Sequence, residues 1–188
     1  MYDVSSAFRK KEQQQYMLQI QAGQASGVDW AACLILQALH DKYGFGKRRF
    51  EVMNDRFEEK VGQFQGKYYD WLKELECNGF STVAMDKFVE KLAKVITKNT
   101  KDRILRAKTI DMLKGTLVTI FYTLRKEYGF GKKRIHDLQA YIADYAWLIY
   151  KREVSIFEFM ECLTQECNIE FPVLEEYAKV NGRPRIYG

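Results

Sequence analysis

The sequence predicts an all-α protein: a tandem pseudo-repeat of three-helix units around Tyr-Gly-Phe-Gly helical hairpins, with further helices at the N- and C-termini. Three observations lead there. Apolar residues recur at helical spacing through most of the chain. Its only two prolines stand at 172 and 184, so the first 171 residues hold no obligate helix breaker. The run Tyr43-Gly44-Phe45-Gly46-Lys47-Arg48-Arg49 returns 85 residues later as Tyr128-Gly129-Phe130-Gly131-Lys132-Lys133-Arg134. With 188 residues, 47% hydrophobic and 29% charged, the chain has the balance of a folded globule and buries roughly two-thirds of its unfolded surface.

The likeness extends past the motif. At the same offset Leu39 meets Leu124, and Phe50, Met53, Phe57, Val61 and Phe64 meet Ile135, Leu138, Ile142, Ala146 and Ile149. Both sets keep one 3-4-4-3 rhythm, the mark a repeated helical unit leaves in a sequence. The chain then divides into residues 1–98, an N-terminal helix and the first repeat, and 99–188, the second repeat and a C-terminal helix, expected to pack as one body.

Taken in order, the first element is a helix rich in Lys and Gln over about 3–22. Val28–Leu39 and its counterpart Leu117–Leu124 are apolar nearly all round, which predicts buried central helices. Ser26, with Asp29 three residues on, offers the first an N-cap. At each corner Gly44 or Gly129 supplies the left-handed residue that ends a helix, Phe45 or Phe130 packs back on the last turn, and Gly46 or Gly131 starts the next helix. Long amphipathic helices follow over about 47–76 and 132–152, the first weakened by Gly62 and Gly66 and open to a bend there. Third helices begin near Ser81-Thr82 and at Ser155, where Ser155 and Glu158 form a capping box. Asn99, ahead of Asp102, caps the helix that leads into the second unit. A last helix starts at Pro172, and residues 183–188 read as a basic tail.

Composition narrows the class of function. No stretch reaches the ~18 uninterrupted apolar residues of a membrane span, and the N-terminus has no apolar signal core, so a cytoplasmic protein is expected. Cys33, Cys77, Cys162 and Cys167 show no CxxC spacing and read as reduced, mostly buried thiols. His40 aligns with Arg125 and His136 with Glu51, so neither histidine recurs, and both read as surface or helix-end residues. The acidic group Asp55, Glu58 and Glu59 has no matching cluster in the second copy. No nucleotide-loop or nucleophile-elbow motif is present, and Gly-Phe-Gly between two helices lacks the strand that a phosphate loop requires. The sequence therefore predicts no catalytic residue, no metal site and no cofactor.

Charge is informative. The net +5 lies between residues 86 and 114, where nine basic residues meet four acidic ones; outside that window 21 meet 21. Lys87, Lys91, Lys94 and Lys98 recur at 4-3-4 spacing opposite Phe88, Leu92, Val95 and Ile96, forming one cationic stripe that suits a nucleic-acid backbone. Lys47, Arg48 and Arg49, like Lys132, Lys133 and Arg134, occupy the first turn of a helix, where the macrodipole disfavours cations. Free N–H groups beside three cations make a seat for phosphate or carboxylate. The plain alternative is pairing with acidic neighbours, Lys47 with Glu51 for instance. Twelve tyrosines and three tryptophans could supply stacking surfaces of the kind single-strand binders use, but Trp71, Trp147 and Tyr145 fall on or beside the apolar faces of the second helices, so core packing explains most of them.

Leu39-His40-Asp41-Lys42-Tyr43-Gly44-Phe45-Gly46-Lys47-Arg48-Arg49, with the weaker copy Leu124 to Arg134, resembles small helical accessory proteins encoded by bacteriophages and prophages. The likeness covers about 50 residues per copy; this chain departs from those proteins in carrying two copies where they carry one. The resemblance implies a phage accessory protein acting in a bacterial host cell, with no known active site. Proteins of that kind regulate phage genes or inhibit host defence, RNA-guided nucleases included.

The expectation is thus a non-enzymatic binding protein that engages nucleic acid, or a host nucleoprotein such as a nuclease complex, through Lys47, Arg48, Arg49, Lys87, Lys91, Lys94, Lys98, Lys132, Lys133 and Arg134. The alternative is a structural or adaptor protein that self-associates, as a homodimer for example, through a seam of Phe50, Met53, Phe57, Phe64 and Trp71.

Overall fold

The computed structural model describes residues 27–97 and 103–186, and among these there are eight helices and no strand. The first, α1, covers 27–43. It is followed by α2 (Lys47–Val61), α3 (Phe64–Cys77), α4 (Thr82–Ile96), α5 (Arg103–Glu127), α6 (Lys132–Lys151), α7 (Ile156–Cys167) and α8 (Pro172–Asn181). The expected helix at 3–22, the cap at Ser26 and the cap at Asn99 lie outside the described residues.

Two helices form the centre, as their all-round apolar sequences predict. On α1, Ala31, Cys33, Leu34, Ile35, Ala38 and Leu39 are fully buried, and on α5 Leu113, Leu117, Val118, Phe121 and Leu124 are nearly so. They run side by side in the same direction. A Cβ built on Gly27 would stand 3.4 Å from the Thr109 carbonyl at one end, while Phe45 meets Tyr128 with ring centroids 5.3 Å apart at the other.

The surrounding helices cross between the two halves of the chain. In one direction α2 and α3 pack on α5, while α4 packs on α5 and α6. In the other, α7 packs on α2 and holds α1 through Gln37–Cys162 and His40–Glu166, while α6 holds α1 through Tyr145–Asp41. Each half thus covers the other's apolar surface.

At the corners the local chemistry follows the sequence. Gly44 and Gly129 both take φ +62, and the Phe45 and Phe130 amides return to the carbonyls of Leu39 and Leu124, each at 3.2 Å. Phe45 and Phe130 are buried beneath these turns. Ser81 accepts from the Ala84 amide, and Ser155 with Glu158 completes the capping box.

The expected helix over 47–76 is broken. Gly62 ends α2 with a tightened turn, the Gln63 amide reaching Lys60, and α3 starts at Phe64. Two causes combine: Gly62 costs about 1 kcal/mol of helix propensity, and Phe64 turns its ring onto Gly115 of α5, where a Cβ would stand 3.0 Å from Cζ. The second half has Ala146-Trp147 at the matching place, and α6 runs through unbroken.

The corner glycines and the glycines that follow them respond oppositely to substitution. Gly129→Ala forces a left-handed residue to carry a Cβ and lowers stability in urea by about 1–2 kcal/mol. Gly131 is an N-cap in extended conformation with no side-chain hydrogen bond and nothing within 4 Å of a Cβ. Gly131→Ser therefore supplies the missing acceptor and raises stability by a few tenths of a kcal/mol.

Candidate nucleic-acid interface

The two basic triplets come together because the two corners pack on each other with matching contacts. The Tyr43 hydroxyl donates to the Arg134 carbonyl at 3.3 Å, and the Tyr128 hydroxyl to the Arg49 carbonyl at 3.3 Å. Tyr43 meets Phe130 at 5.1 Å between centroids, and Phe45 meets Phe130 edge-on at 6.5 Å. Arg49 lies over Phe45 and Arg134 over Phe130, each guanidinium 5.3 Å from the ring centroid. One aromatic cluster thus underlies both triplets.

Lys47, Arg48, Arg49, Lys132, Lys133 and Arg134 are all exposed. None forms an ion pair among the described residues, and the Lys47–Glu51 pair is not made. Neither α2 nor α6 carries an acidic residue in its first turn or a side-chain cap at its N-terminus. Free amide dipoles and three cations therefore point the same sign of potential outward at each corner. Beside the second triplet a recess of about 360 Å³ is lined by Lys42, Tyr43, Lys133, Arg134, Asp137 and Tyr141.

The lysine stripe lies on α4, which runs parallel to α6. Gly79 abuts Lys132 at the start of α6, the Ser81 amide and carbonyl both bond the Gln139 side chain, and Lys91 reaches Trp147 further along. Lys87 and Lys94 are exposed and Lys91 half-buried, all without a carboxylate partner among the described residues; Lys98 lies outside them. No known protein family, curated protein or solved structure matches the chain.

Two assignments made from the sequence are corrected, those of Trp147 and Arg183. Trp147 is not a core residue: it is 40% exposed, whereas Trp71 is 4% exposed. Its misplacement was legible, since 147 falls outside the 135-138-142-146-149 rhythm that fills the core. Arg183 is not part of a free basic tail, because its guanidinium donates to the buried Glu161 at 2.8 Å and to Glu175 at 2.6 Å, tying the chain end to α7 and α8. His40 does more than end a helix: Nε2 meets the Glu166 carboxylate at 2.6 Å and Nδ1 the Phe45 carbonyl at 2.8 Å.

That histidine stands 3.4 Å from Cys167 Sγ, which makes a Cys-His-Glu grouping. Its geometry does not activate the sulfur. Nδ1 is taken by the Phe45 carbonyl, Cys167 is buried, and burial pushes the thiol further up. The four cysteines are free thiols, with Cys33 and Cys167 buried and Cys77 exposed at the end of α3. Beside them the Tyr145 hydroxyl donates to Asp41 at 2.5 Å, a second tie between α6 and α1.

The His40–Glu166 contact gives stability a pH dependence. Burial works to lower the His40 pKa, but Phe45 and Glu166 as acceptors outweigh it and leave the value above the ordinary 6.5. Hydrogen bonds from His40 and then Cys162 hold the Glu166 carboxyl below its ordinary 4.5. A histidine raised in the folded state stabilises fully below 6.5 and loses that contribution as pH rises through its folded value; the lowered carboxyl contributes above 4.5 and loses it on acidification. The contact is at full strength between those limits. Urea midpoints should fall from about pH 6 to about pH 8 in the wild type, and His40→Gln should flatten that fall. An unchanged slope in the variant would remove His40 as the titrating group.

Proposed function

We propose that this is a non-enzymatic binding protein that engages nucleic acid, free or within a nucleoprotein, through the paired corners and the α4 stripe. The observation that supports the reading best is the set of nine described cations, two triplets with Lys87, Lys91 and Lys94, that have no ion-pair partner among the described residues. Cations at helix N-termini oppose the helix dipole, so their placement does not serve local stability. Phosphates near these positions would recover that cost and release counterions.

The resemblance to phage accessory proteins extends the proposal to its setting: a phage-type protein that acts in a bacterial host cell as an inhibitor of a defence nuclease, engaging that nucleoprotein through its basic helical faces. Among the described residues no helix is long and apolar enough to cross a membrane. The self-association reading loses its seam, because Phe50, Met53 and Trp71 are buried in the chain's own core and Phe57 and Phe64 pack against it.

The test is anisotropy of labelled oligonucleotides against salt. Affinity should fall roughly 10³- to 10⁵-fold between about 50 and 200 mM salt, as expected for 6–10 phosphate contacts. Replacing both triplets by glutamate should abolish binding. Affinity that is indifferent to salt and to charge reversal would end the proposal.

A further inference from the structure

Resting on the electrostatic reading above, we infer that the α4–α6 face binds single-stranded nucleic acid, with nucleobases stacking on Trp147 and Tyr150 and phosphates held by Lys87, Lys91 and Lys94. The indole and phenol lie nearly parallel, centroids 5.6 Å apart and planes 17° apart. They are 40% and 43% exposed. Two large rings, stacked on each other on one turn of α6, thus stand partly open to solvent.

Core packing does not account for them. The interior side of α6 is filled by Ile135, Leu138, Ile142, Ala146 and Ile149, all buried. Trp147 stands where the first half of the chain has Gly62, so the surface is particular to the second half.

Cations frame the rings. Lys91 Nζ stands 3.9 Å from the Trp147 centroid and 5.8 Å from that of Tyr150, and Lys151 Nζ 5.2 Å from Trp147. Lys151 also pairs with Glu153 at 3.6 Å, whereas Lys91 has no carboxylate partner among the described residues, Glu90 and Asp144 included. In the free protein the Lys91 ammonium rests on the aromatic surface. A phosphate draws it away on its flexible stem, leaving the ring face to a base.

This combination selects a single strand. In a duplex the base faces are already stacked on one another, and only the phosphates remain for the protein; an unpaired strand offers both to an aromatic surface lined with cations. From Lys132 to Trp147 the face extends roughly 22 Å at about 1.5 Å of helix rise per residue, room for several nucleotides.

Trp30 and Trp71 are buried, at 8% and 4% exposure, so Trp147 dominates the response of tryptophan fluorescence to a ligand. The full chain is titrated at low salt with oligo(dT) and with a mixed-sequence duplex of equal length. The expected result is quenching by oligo(dT) and an affinity about tenfold or more above that of the duplex. Trp147→Leu and Tyr150→Leu, both at exposed positions, should each weaken oligo(dT) binding by about tenfold and leave duplex binding unchanged. Equal affinities for the two forms, with both variants binding like the wild type, would overturn the stacking surface and leave the electrostatic reading standing. Binding of neither form would overturn both.

Discussion

The fold depends on the contact between its two Tyr-Gly-Phe-Gly corners. Each corner ends a central helix with a left-handed glycine, turns a phenylalanine under the chain and lends a tyrosine hydroxyl to the other corner's first helical turn. Because the exchange is reciprocal, it fixes α1 beside α5 in the same direction. It also sets the starts of α2 and α6 over a common aromatic base. The remaining helices then cover the apolar surfaces that this arrangement leaves open, each half of the chain closing over the other.

The same contact shapes the electrostatics. A cation in the first turn of a helix opposes the macrodipole, and six of them at two adjoining corners oppose it together. Arg49 and Arg134 recover part of this through the faces of Phe45 and Phe130. None of the six is neutralised by a carboxylate among the described residues, whereas Arg183 is tied to Glu161 and Glu175, Lys114 to Asp86 and Lys126 to Glu74. What sets the candidate interface apart is that its six cations share two adjoining corners over one aromatic cluster.

Much of the architecture was legible in the sequence because it rests on local chemistry. Helical period, glycine at the corner and Ser155 with Glu158 are read within a few residues, and the helices follow. What could not be read was which helix meets which. The break at Gly62 needed the knowledge that Phe64 lands on Gly115, over 50 positions away. His40, Glu166 and Cys167 belong to distant segments and share no motif. Trp147 lies beside the apolar face of α6, which suggests core packing, but its position off the 135-138-142-146-149 rhythm places it outside. The cationic residues were legible as types and spacings; their convergence came only from the contact between the corners.

Since every later step assumes that the corners act as one unit, their energetic coupling is the quantity to measure. A double-mutant cycle in urea with Phe45→Leu, Phe130→Leu and the pair should give a coupling energy of about 0.5 kcal/mol or more, within one cooperative transition. Additive losses, or a separate transition for each half of the chain, would contradict the account.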